Sequence, residues 1–265
     1  MLVAVVQFRA SDDKADNLAR LGGLIGRAAE AGAELIVCPE AAMHGFGPAD
    51  RPLAPVAEPL DGRFVTGLAE LADRHRVTVL AGMFEAIRGD RVFNTVVAVD
   101  QRGLIGRYRK LHLFDALGWV ESDRLAIAPI GPDALLVLPV GDLEVGVLTC
   151  YDLRFPELGR ALVDAGATML AVPSAWVAGP VKEDQWRTLV RARAIENTCY
   201  VAAAGQPPPD YVGRSLVVDP LGVEVAGLAD REGVAAAELT ADRVAEVRSR
   251  MPSLAHRRFT VAPRP

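Results

Sequence analysis

The chain has 265 residues, 51% of them apolar, and a formal net charge of −5, so it can bury a substantial core and has no electrostatic preference for nucleic acid. No apolar run approaches the roughly 18 residues of a membrane span, and residues 1–8 predict a first strand because they lack the features of a signal peptide. The three cysteines without C-x-x-C spacing argue against a disulfide framework or a zinc cluster, and they favour a cytoplasmic location.

Apolar segments alternate along the chain with amphipathic helical patterns. The predicted strands, in chain order, are residues 2–8, 34–38, 78–83, 92–100, 104–109, 134–140, 143–149, 168–172, 199–203, 215–218 and 234–238. The predicted helices are residues 14–31, 62–75, 155–165, 183–197 and 241–250. Strands separated by helices indicate an α/β layered fold, and strands joined by tight turns add antiparallel hairpins, so we expect mixed sheets.

Two segments of the chain resemble each other. Residues 31–41 align with residues 165–175, and in each segment a helix is followed by an apolar strand that ends at a proline. A true internal repeat would place Glu40 and Ser174 at the ends of equivalent strands. The alternative is chance similarity between two Ala/Gly-rich joints.

Three residues that can carry chemistry follow predicted strands. Glu40 follows strand 34–38 and a proline, Lys110 follows strand 104–109, and Cys150 follows strand 143–149. Only three of the 29 basic residues are lysines, so a lysine directly after an arginine indicates a need for a compact ammonium. A carboxylate that takes the thiol proton, an ammonium that stabilises the tetrahedral intermediate and a thiolate that attacks a carbonyl are the parts of a nucleophilic amidase.

Cys150 is the favoured nucleophile among the three cysteines. It lies at a turn from a strand into a helix, where backbone N–H groups favour a thiolate and can hold an oxyanion. Cys38 also closes a strand, but the proline after it offers no N–H group, whereas Tyr151 after Cys150 does. Cys199 is predicted to be a small buried apolar residue.

The motifs around these residues resemble the nitrilase superfamily of carbon–nitrogen hydrolases, whose catalytic set is Glu, Lys and Cys in that order. The matching segments are residues 38–40, 108–115, 150–157 and 186–197. The resemblance extends from residue 3 to about residue 259, and it is strongest to the branch that contains ω-amidases and deaminated-glutathione amidases. It implies a four-layer α-β-β-α sandwich with internal pseudo-symmetry, formed by residues 1–265 as a single carbon–nitrogen hydrolase domain.

The resemblance also implies a symmetric homodimer. Residues 251–265 have too little helix to bury Leu254, Phe259 and Val261, so we expect this C-terminal extension to dock on the partner subunit. The resemblance further implies a role for Glu121, since the family carries a second active-site glutamate before a serine in this segment. Glu121 would position Lys110 or the substrate amide, whereas composition alone leaves a solvated loop glutamate as an equal alternative.

The remaining candidates concern the walls of the site. The Tyr151 N–H is predicted to join Lys110 in the oxyanion site, Arg154 to brace the loop after the nucleophile, and Trp176 to form a pocket wall. A papain-like arrangement with a histidine base is the alternative for proton transfer. Only His112 lies near a motif, and as the alternating neighbour of Lys110 it is predicted to support the site instead.

The sequence therefore predicts a thiol amidase that releases ammonia from a small, carboxylate-bearing amide through a Cys150 thioester, with no metal or organic cofactor. Leu153 stands where carbamoylase relatives carry an arginine, which argues against an N-carbamoyl amino acid substrate. Abundant arginines near the expected pocket, namely Arg154, Arg187 and Arg191, are the candidates for binding the carboxylate. The alternatives are an acyl transferase with the same site and a catalytically silent small-molecule-binding homologue.

Overall fold

The structure is a computed structural model that describes residues 1–131 and 133–262. The strands are β1 (Leu2–Gln7), β2 (Leu35–Val37), β3 (Thr78–Ala86), β4 (Val92–Asp100), β5 (Gly103–Arg109), β6 (Asp115–Ala116), β7 (Trp119–Val120), β8 (Leu136–Val140), β9 (Leu143–Val147), β10 (Met169–Pro173), β11 (Tyr200–Ala204), β12 (Leu216–Val218), β13 (Glu224–Gly227) and β14 (Gly233–Glu238). The helices are α1 (Lys14–Glu30), α2 (Arg63–His75), α3 (Pro156–Asp164), α4 (Lys182–Asn197) and α5 (Ala241–Arg250).

Every predicted strand and helix is present, with bounds shifted by at most three residues. The sequence missed the short hairpin β6–β7, the edge strand β13 and three 3₁₀ turns, which span Ala54–Val56, Glu121–Asp123 and Cys150–Arg154. These elements are too short to show a hydrophobic period.

The two large sheets repeat one topology. The first sheet has the order β14-β1-β2-β3-β4-β5, and the second has the order β13-β12-β11-β10-β9-β8. In the first sheet β1, β2 and β3 are parallel, and in the second β9, β10 and β11 are parallel, while every outer pairing is antiparallel. The units α1–β2 and α3–β10 take equivalent places in this pattern, so the internal pseudo-symmetry is confirmed.

Side-chain alternation on β1 shows how the layers stack. Val3 and Val5 point into a core that they share with Val145 and Val147 of the second sheet. Ala4 and Val6 point the other way, into a core that contains residues of α1 and α2. Helices α3 and α4 pack on the outer face of the second sheet. The order of layers is therefore helix, sheet, sheet, helix, as predicted.

The carboxyl ends of several strands meet at one edge of the sandwich. Strands β2 and β5 of the first sheet end shortly before Glu40 and Lys110, and strands β9 and β10 of the second end shortly before Cys150 and Ser174. Parallel strands deliver the residues that follow them to the same edge, which is where α/β proteins place their sites. The fold thus brings together side chains that lie far apart in the sequence.

The C-terminal segment runs over the surface without regular structure after α5. Arg257 forms an ion pair with Asp164 at 2.6 Å, whereas Phe259 is 91% exposed. Residues 263–265 of the predicted extension lie outside the described residues. The docking of this segment on a partner subunit and the single-domain organisation stay predictions. No helix among the described residues is both long and apolar enough to cross a membrane.

Gly82 on β3 allows the segment after β2 to pass close to the sheet. Its N–H donates to the Pro39 carbonyl at 3.0 Å, and its carbonyl accepts from the Met43 N–H at 3.1 Å. A Cβ at this position would lie 2.5 Å from the Ala41 nitrogen and 2.6 Å from the Glu40 Cα. Because both neighbours are backbone atoms, a side chain here must displace the segment that carries Glu40.

We predict that Gly82→Ala lowers the free energy of unfolding by about 1–3 kcal/mol, as overpacking typically does, and also reduces turnover. Gly23→Ala is the matched control, since the α1 position has nothing within 4 Å of the added Cβ. That change should stabilise the protein by about 0.5–1 kcal/mol. Urea unfolding of both variants measures these changes. Equal free energies of unfolding for the two variants would contradict the close approach of the Glu40 segment to Gly82.

Candidate active site

Glu40 is a buried carboxylate held by three donors. It is 1% exposed. Its Oε1 accepts from the Asn94 side-chain amide at 2.7 Å and from Lys110 Nζ at 2.9 Å, and its Oε2 accepts from the Ala175 N–H at 2.7 Å. These three donors fix the direction of the carboxylate. Glu40 is therefore suited to act as a base in a defined position.

The Lys110 ammonium lies between two carboxylates. It is 2.9 Å from Glu40 Oε1 and 3.1 and 2.9 Å from the two oxygens of Glu121. Burial alone would lower the pKa of Lys110, but the charges of Glu121 and Glu40 outweigh burial and raise that pKa well above its usual value. Lys110 is thus a permanent cation and cannot serve as the base near neutral pH.

A small hairpin returns Glu121 to Lys110. Strands β6 and β7 pair through Asp115 and Val120, and Glu121 follows directly, with its Oε2 accepting from the Phe114 N–H at 2.8 Å. Burial raises the pKa of Glu121, and the Lys110 charge opposes that rise. The structure places Glu121 on Lys110, not in the solvated loop of the alternative interpretation.

Cys150 has an unusual backbone conformation. Its φ is +49°, in the left-handed region that a side chain with a Cβ rarely adopts. The Asp152 carboxylate accepts from the Thr149 N–H at 2.9 Å, and the Leu153 carbonyl accepts from Arg193 at 2.7 Å. These contacts hold the chain in the sharp turn that takes the thiol out of the line of β9 and into a cleft.

The environment keeps the Cys150 thiol protonated at rest. Burial and the nearby Glu40 carboxylate raise its pKa well above the usual value, and the Lys110 ammonium opposes them. A thiol of this kind needs a base at the moment of attack, and Glu40 is the carboxylate beside it. Cys150 and Tyr151 are the first residues of the 3₁₀ turn, so their N–H groups make none of its internal hydrogen bonds. Both groups can therefore donate to an oxyanion.

Asp152 joins the nucleophile turn to the strand that carries Lys110. It accepts from the Tyr108 hydroxyl at 2.7 Å and contacts the His112 Nδ1 at 2.7 Å. The His112 ring also stacks on Phe155, with ring centroids 3.7 Å apart. His112 therefore braces the turn through Asp152, which disfavours the papain-like alternative.

A narrow cleft opens beside Cys150. It is lined by Phe114, Glu121, Cys150, Tyr151, Arg154, Ala175, Trp176, Val177 and Lys182. Tyr151, Arg154 and Trp176 thus all line this cleft. The Arg154 guanidinium lies 4.9 Å from the Trp176 ring centroid and donates to the Gln185 side chain at 2.6 Å.

Two predicted pocket arginines lie elsewhere. Arg187 forms an ion pair with Glu224 at 2.7 Å on the outer surface, and Arg191 donates to the Gly222 carbonyl at 2.9 Å. The prediction that they approach the pocket was wrong, because both lie on the face of α4 that turns away from the core.

The sequence also missed contributors to the site, namely Asn94, the Ala175 N–H and Lys182. Asn94 could have been noticed as a polar residue within the apolar strand β4. Lys182 lies four residues before the buried Trp186, on the same face of α4, which indicates an inward side chain. Within residues 1–131 and 133–262, no group of three or more His, Cys, Asp or Glu side chains is arranged to hold a metal ion.

Known proteins resemble this chain over nearly its full length. A family model described as carbon-nitrogen hydrolase matches residues 2–249. A deaminated glutathione amidase from Escherichia coli O157:H7 is 37% identical over 259 residues, which cover 98% of this chain and 98% of that protein. A deaminated glutathione amidase from Synechocystis sp. (strain PCC 6803 / GT-S) is 36% identical, with 97% of this chain and 98% of that protein covered.

Solved structures give the same result for the fold. A CN-hydrolase superfamily protein from Xanthomonas campestris, with an arsenic adduct in its active site, matches with a TM-score of 0.87 and 27% identity over 99% of each chain. Nit3 from Saccharomyces cerevisiae, a member of branch 10 of the nitrilase superfamily, matches with a TM-score of 0.84 and 29% identity over 98% of this chain and 97% of that chain.

The surroundings of the three cysteines predict selective alkylation. Cys38 and Cys199 are fully buried, and burial raises the pKa of Cys199 to about 12 and that of Cys38 further, whereas Cys150 lines the cleft. Iodoacetamide should therefore modify Cys150 first in the native protein, at a rate that increases with pH as the thiolate forms. Peptide mass mapping checks the order, and equal early labelling of Cys38 would contradict it.

Proposed function

Because the chain belongs to the carbon–nitrogen hydrolase family and is an amidase that acts on a small substrate, we propose that it hydrolyses a carboxylate-bearing carboxamide through a thioester on Cys150 and releases ammonia. One observation carries this proposal. The buried Lys110 ammonium forms ion pairs with both Glu40 and Glu121, beside the turn that carries the Cys150 thiol.

In the first step the Glu40 carboxylate takes the proton of the Cys150 thiol as the sulfur attacks the amide carbonyl. A C–S bond forms, and the carbonyl π electrons move to oxygen. The Lys110 ammonium and the Tyr151 N–H stabilise that oxyanion. Such donors are effective because they are already in place in a site with little water.

In the second step the tetrahedral intermediate collapses and the C–N bond breaks. The protonated Glu40 gives its proton to the departing nitrogen, so ammonia leaves and the acyl group stays on Cys150. Water then enters the vacated position, gives a proton to Glu40 and attacks the thioester. The second intermediate expels the sulfur, which recovers its proton from Glu40.

Glu121 acts through Lys110 in this scheme. If Glu40 were the only carboxylate beside Lys110, the two would form a tight ion pair, and Glu40 would be less available as a base. The second carboxylate shares the ammonium and holds it by two contacts, at 3.1 and 2.9 Å. Glu121 is therefore a positioning residue that also lies in the cleft wall, where it can accept from the substrate amide.

The proposed substrate class follows from the names of the relatives. Proteins at 36–37% identity are named deaminated glutathione amidases, which supports that compound and shorter acid amides, such as α-ketoglutaramate and succinamate, as candidates. Transfer of the acyl group to an amine or alcohol remains the alternative, since it uses the same thioester. The homodimer and the cytoplasmic location stay predictions.

We predict that wild-type protein releases ammonia from at least one of these acid amides and accumulates an acyl adduct on Cys150 when quenched during turnover. Cys150→Ala should do neither, while Cys199→Ala, which removes a thiol outside the cleft, should do both. Intact-protein mass spectrometry and an ammonia assay check this. Hydrolysis that persists in Cys150→Ala would exclude the thioester, and an adduct that clears only with an added acceptor would indicate transfer.

Replacement of Lys110 by arginine tests the need for a compact ammonium. A planar guanidinium cannot occupy the fully buried position between two carboxylates and still approach the oxyanion, so Lys110→Arg should lose about 10²-fold or more in kcat. Lys14→Arg is the matched control, because Lys14 pairs with Glu58 at a partly exposed position. Near-normal kcat in Lys110→Arg, with native circular dichroism, would contradict the role of Lys110.

A further inference from the structure

Lys182 is a second lysine at the cleft, and the mechanism above does not use it. It is the first residue of α4 and is 6% exposed. Its Nζ lies 4.9 Å from the Trp176 ring centroid and 5.1 Å from the Phe114 ring centroid. The ammonium is thus held between two aromatic walls, and it faces the same space as Cys150.

The backbone directly before Lys182 has an unusual conformation. Val181 has a φ of +53°, a left-handed conformation that is unfavourable for a β-branched residue. In addition, the Lys182 carbonyl accepts from the Trp176 indole N–H at 3.0 Å, which ties the start of α4 to one wall of the cleft. Strained backbone of this kind persists where the surroundings require a particular side-chain position.

Lys182 has no anionic partner in the part of the chain that the structure describes. No carboxylate there lies within 4.0 Å of its Nζ, and the ammonium donates no hydrogen bond to a protein acceptor. Lys110, in contrast, has three contacts to carboxylate oxygens. Lys182 is thus a cation on the cleft wall with no carboxylate beside it, which suits it to bind a negatively charged ligand.

A second cation reinforces this conclusion. The Arg154 guanidinium and the Lys182 ammonium both lie 4.9 Å from the Trp176 ring centroid. Burial and the Arg154 charge lower the pKa of Lys182, and an anion between the two groups would relieve both effects. Arg154 and Lys182 thus bring two cations to the wall of the cleft that Cys150 also lines.

We propose that Lys182 is a specificity-determining residue, whose ammonium binds the carboxylate of the substrate remote from the scissile amide. This inference rests on the proposed amide hydrolysis and names the group that selects the substrate. With the amide carbon at Cys150 and the carboxylate at Lys182 and Arg154, the methylene chain between them contacts Trp176 and Phe114.

The test compares an acid amide with its neutral analogue. Glutaramate and its methyl ester share the scissile amide and the chain but differ in the remote charge. Lys182→Met keeps an unbranched side chain against the aromatic rings and removes the charge. It should lower kcat/KM for glutaramate by about 10- to 100-fold, mainly through KM, because a charge-assisted contact is lost. The methyl ester should change by less than about threefold.

Two further variants sharpen the comparison. Lys182→Arg keeps the charge and should retain part of the preference for glutaramate, and Lys14→Met removes a lysine outside the cleft and should match the wild type. Equal losses for glutaramate and its ester in Lys182→Met would assign a structural role to Lys182 and overturn the proposal. Unchanged kinetics with both compounds would overturn it as well.

A binding measurement separates this inference from the proposed hydrolysis. Glutarate should bind to Cys150→Ala in calorimetry and should bind at least about 10-fold more weakly to the double variant Cys150→Ala/Lys182→Met. Lysine-dependent glutarate binding without turnover of any acid amide would keep the role of Lys182 and contradict the hydrolysis. Equal turnover of glutaramate and its methyl ester, together with glutarate binding that does not depend on Lys182, would support the proposed hydrolysis and contradict the role of Lys182.

Discussion

The structure depends on one buried arrangement of charges, the Lys110 ammonium between the carboxylates of Glu40 and Glu121. Burying charged groups is expensive, and the cost is offset only when the geometry is good and every remaining polar atom has a partner. The Asn94 amide and the Ala175 N–H supply those partners to Glu40, and the Phe114 N–H supplies one to Glu121. These donors come from both sheets and from a hairpin, so the site forms only when the whole sandwich is assembled.

The repeated topology explains why these donors converge. Strands β2 and β10 take equivalent central places in the two sheets, and each is followed by a proline or ends at one. The first repeat then supplies a carboxylate at Glu40, and the second supplies the Ala175 N–H that this carboxylate accepts at 2.7 Å. One half of the molecule thus carries the base and the ammonium, whereas the other half carries the nucleophile and fixes the base.

Much of the fold could be predicted from the sequence, because long strands and helices carry a clear hydrophobic period and strand ends reveal Glu40, Lys110 and Cys150. Contacts between distant segments could not be predicted, because the hydrophobic period of a strand does not indicate which strands are its neighbours. The bond from Asn94 to Glu40 and the aromatic walls around Lys182 belong to this class. The misplacement of Arg187 and Arg191 was avoidable, because Lys182, Trp186 and Val190 mark the buried face of α4 at intervals of four residues.

The central claim is that Glu40 takes the proton of a thiol that its own charge helps to keep protonated. Ammonia release by Glu40→Gln, measured alongside the ultraviolet absorbance of the Cys150 thiolate against pH, tests it most directly. Removing the carboxylate charge should lower the pKa of Cys150, so that the thiolate forms at lower pH. Turnover should fall by about 10²- to 10⁴-fold, because the variant lacks the general base. Turnover near the wild-type rate in Glu40→Gln would contradict the account.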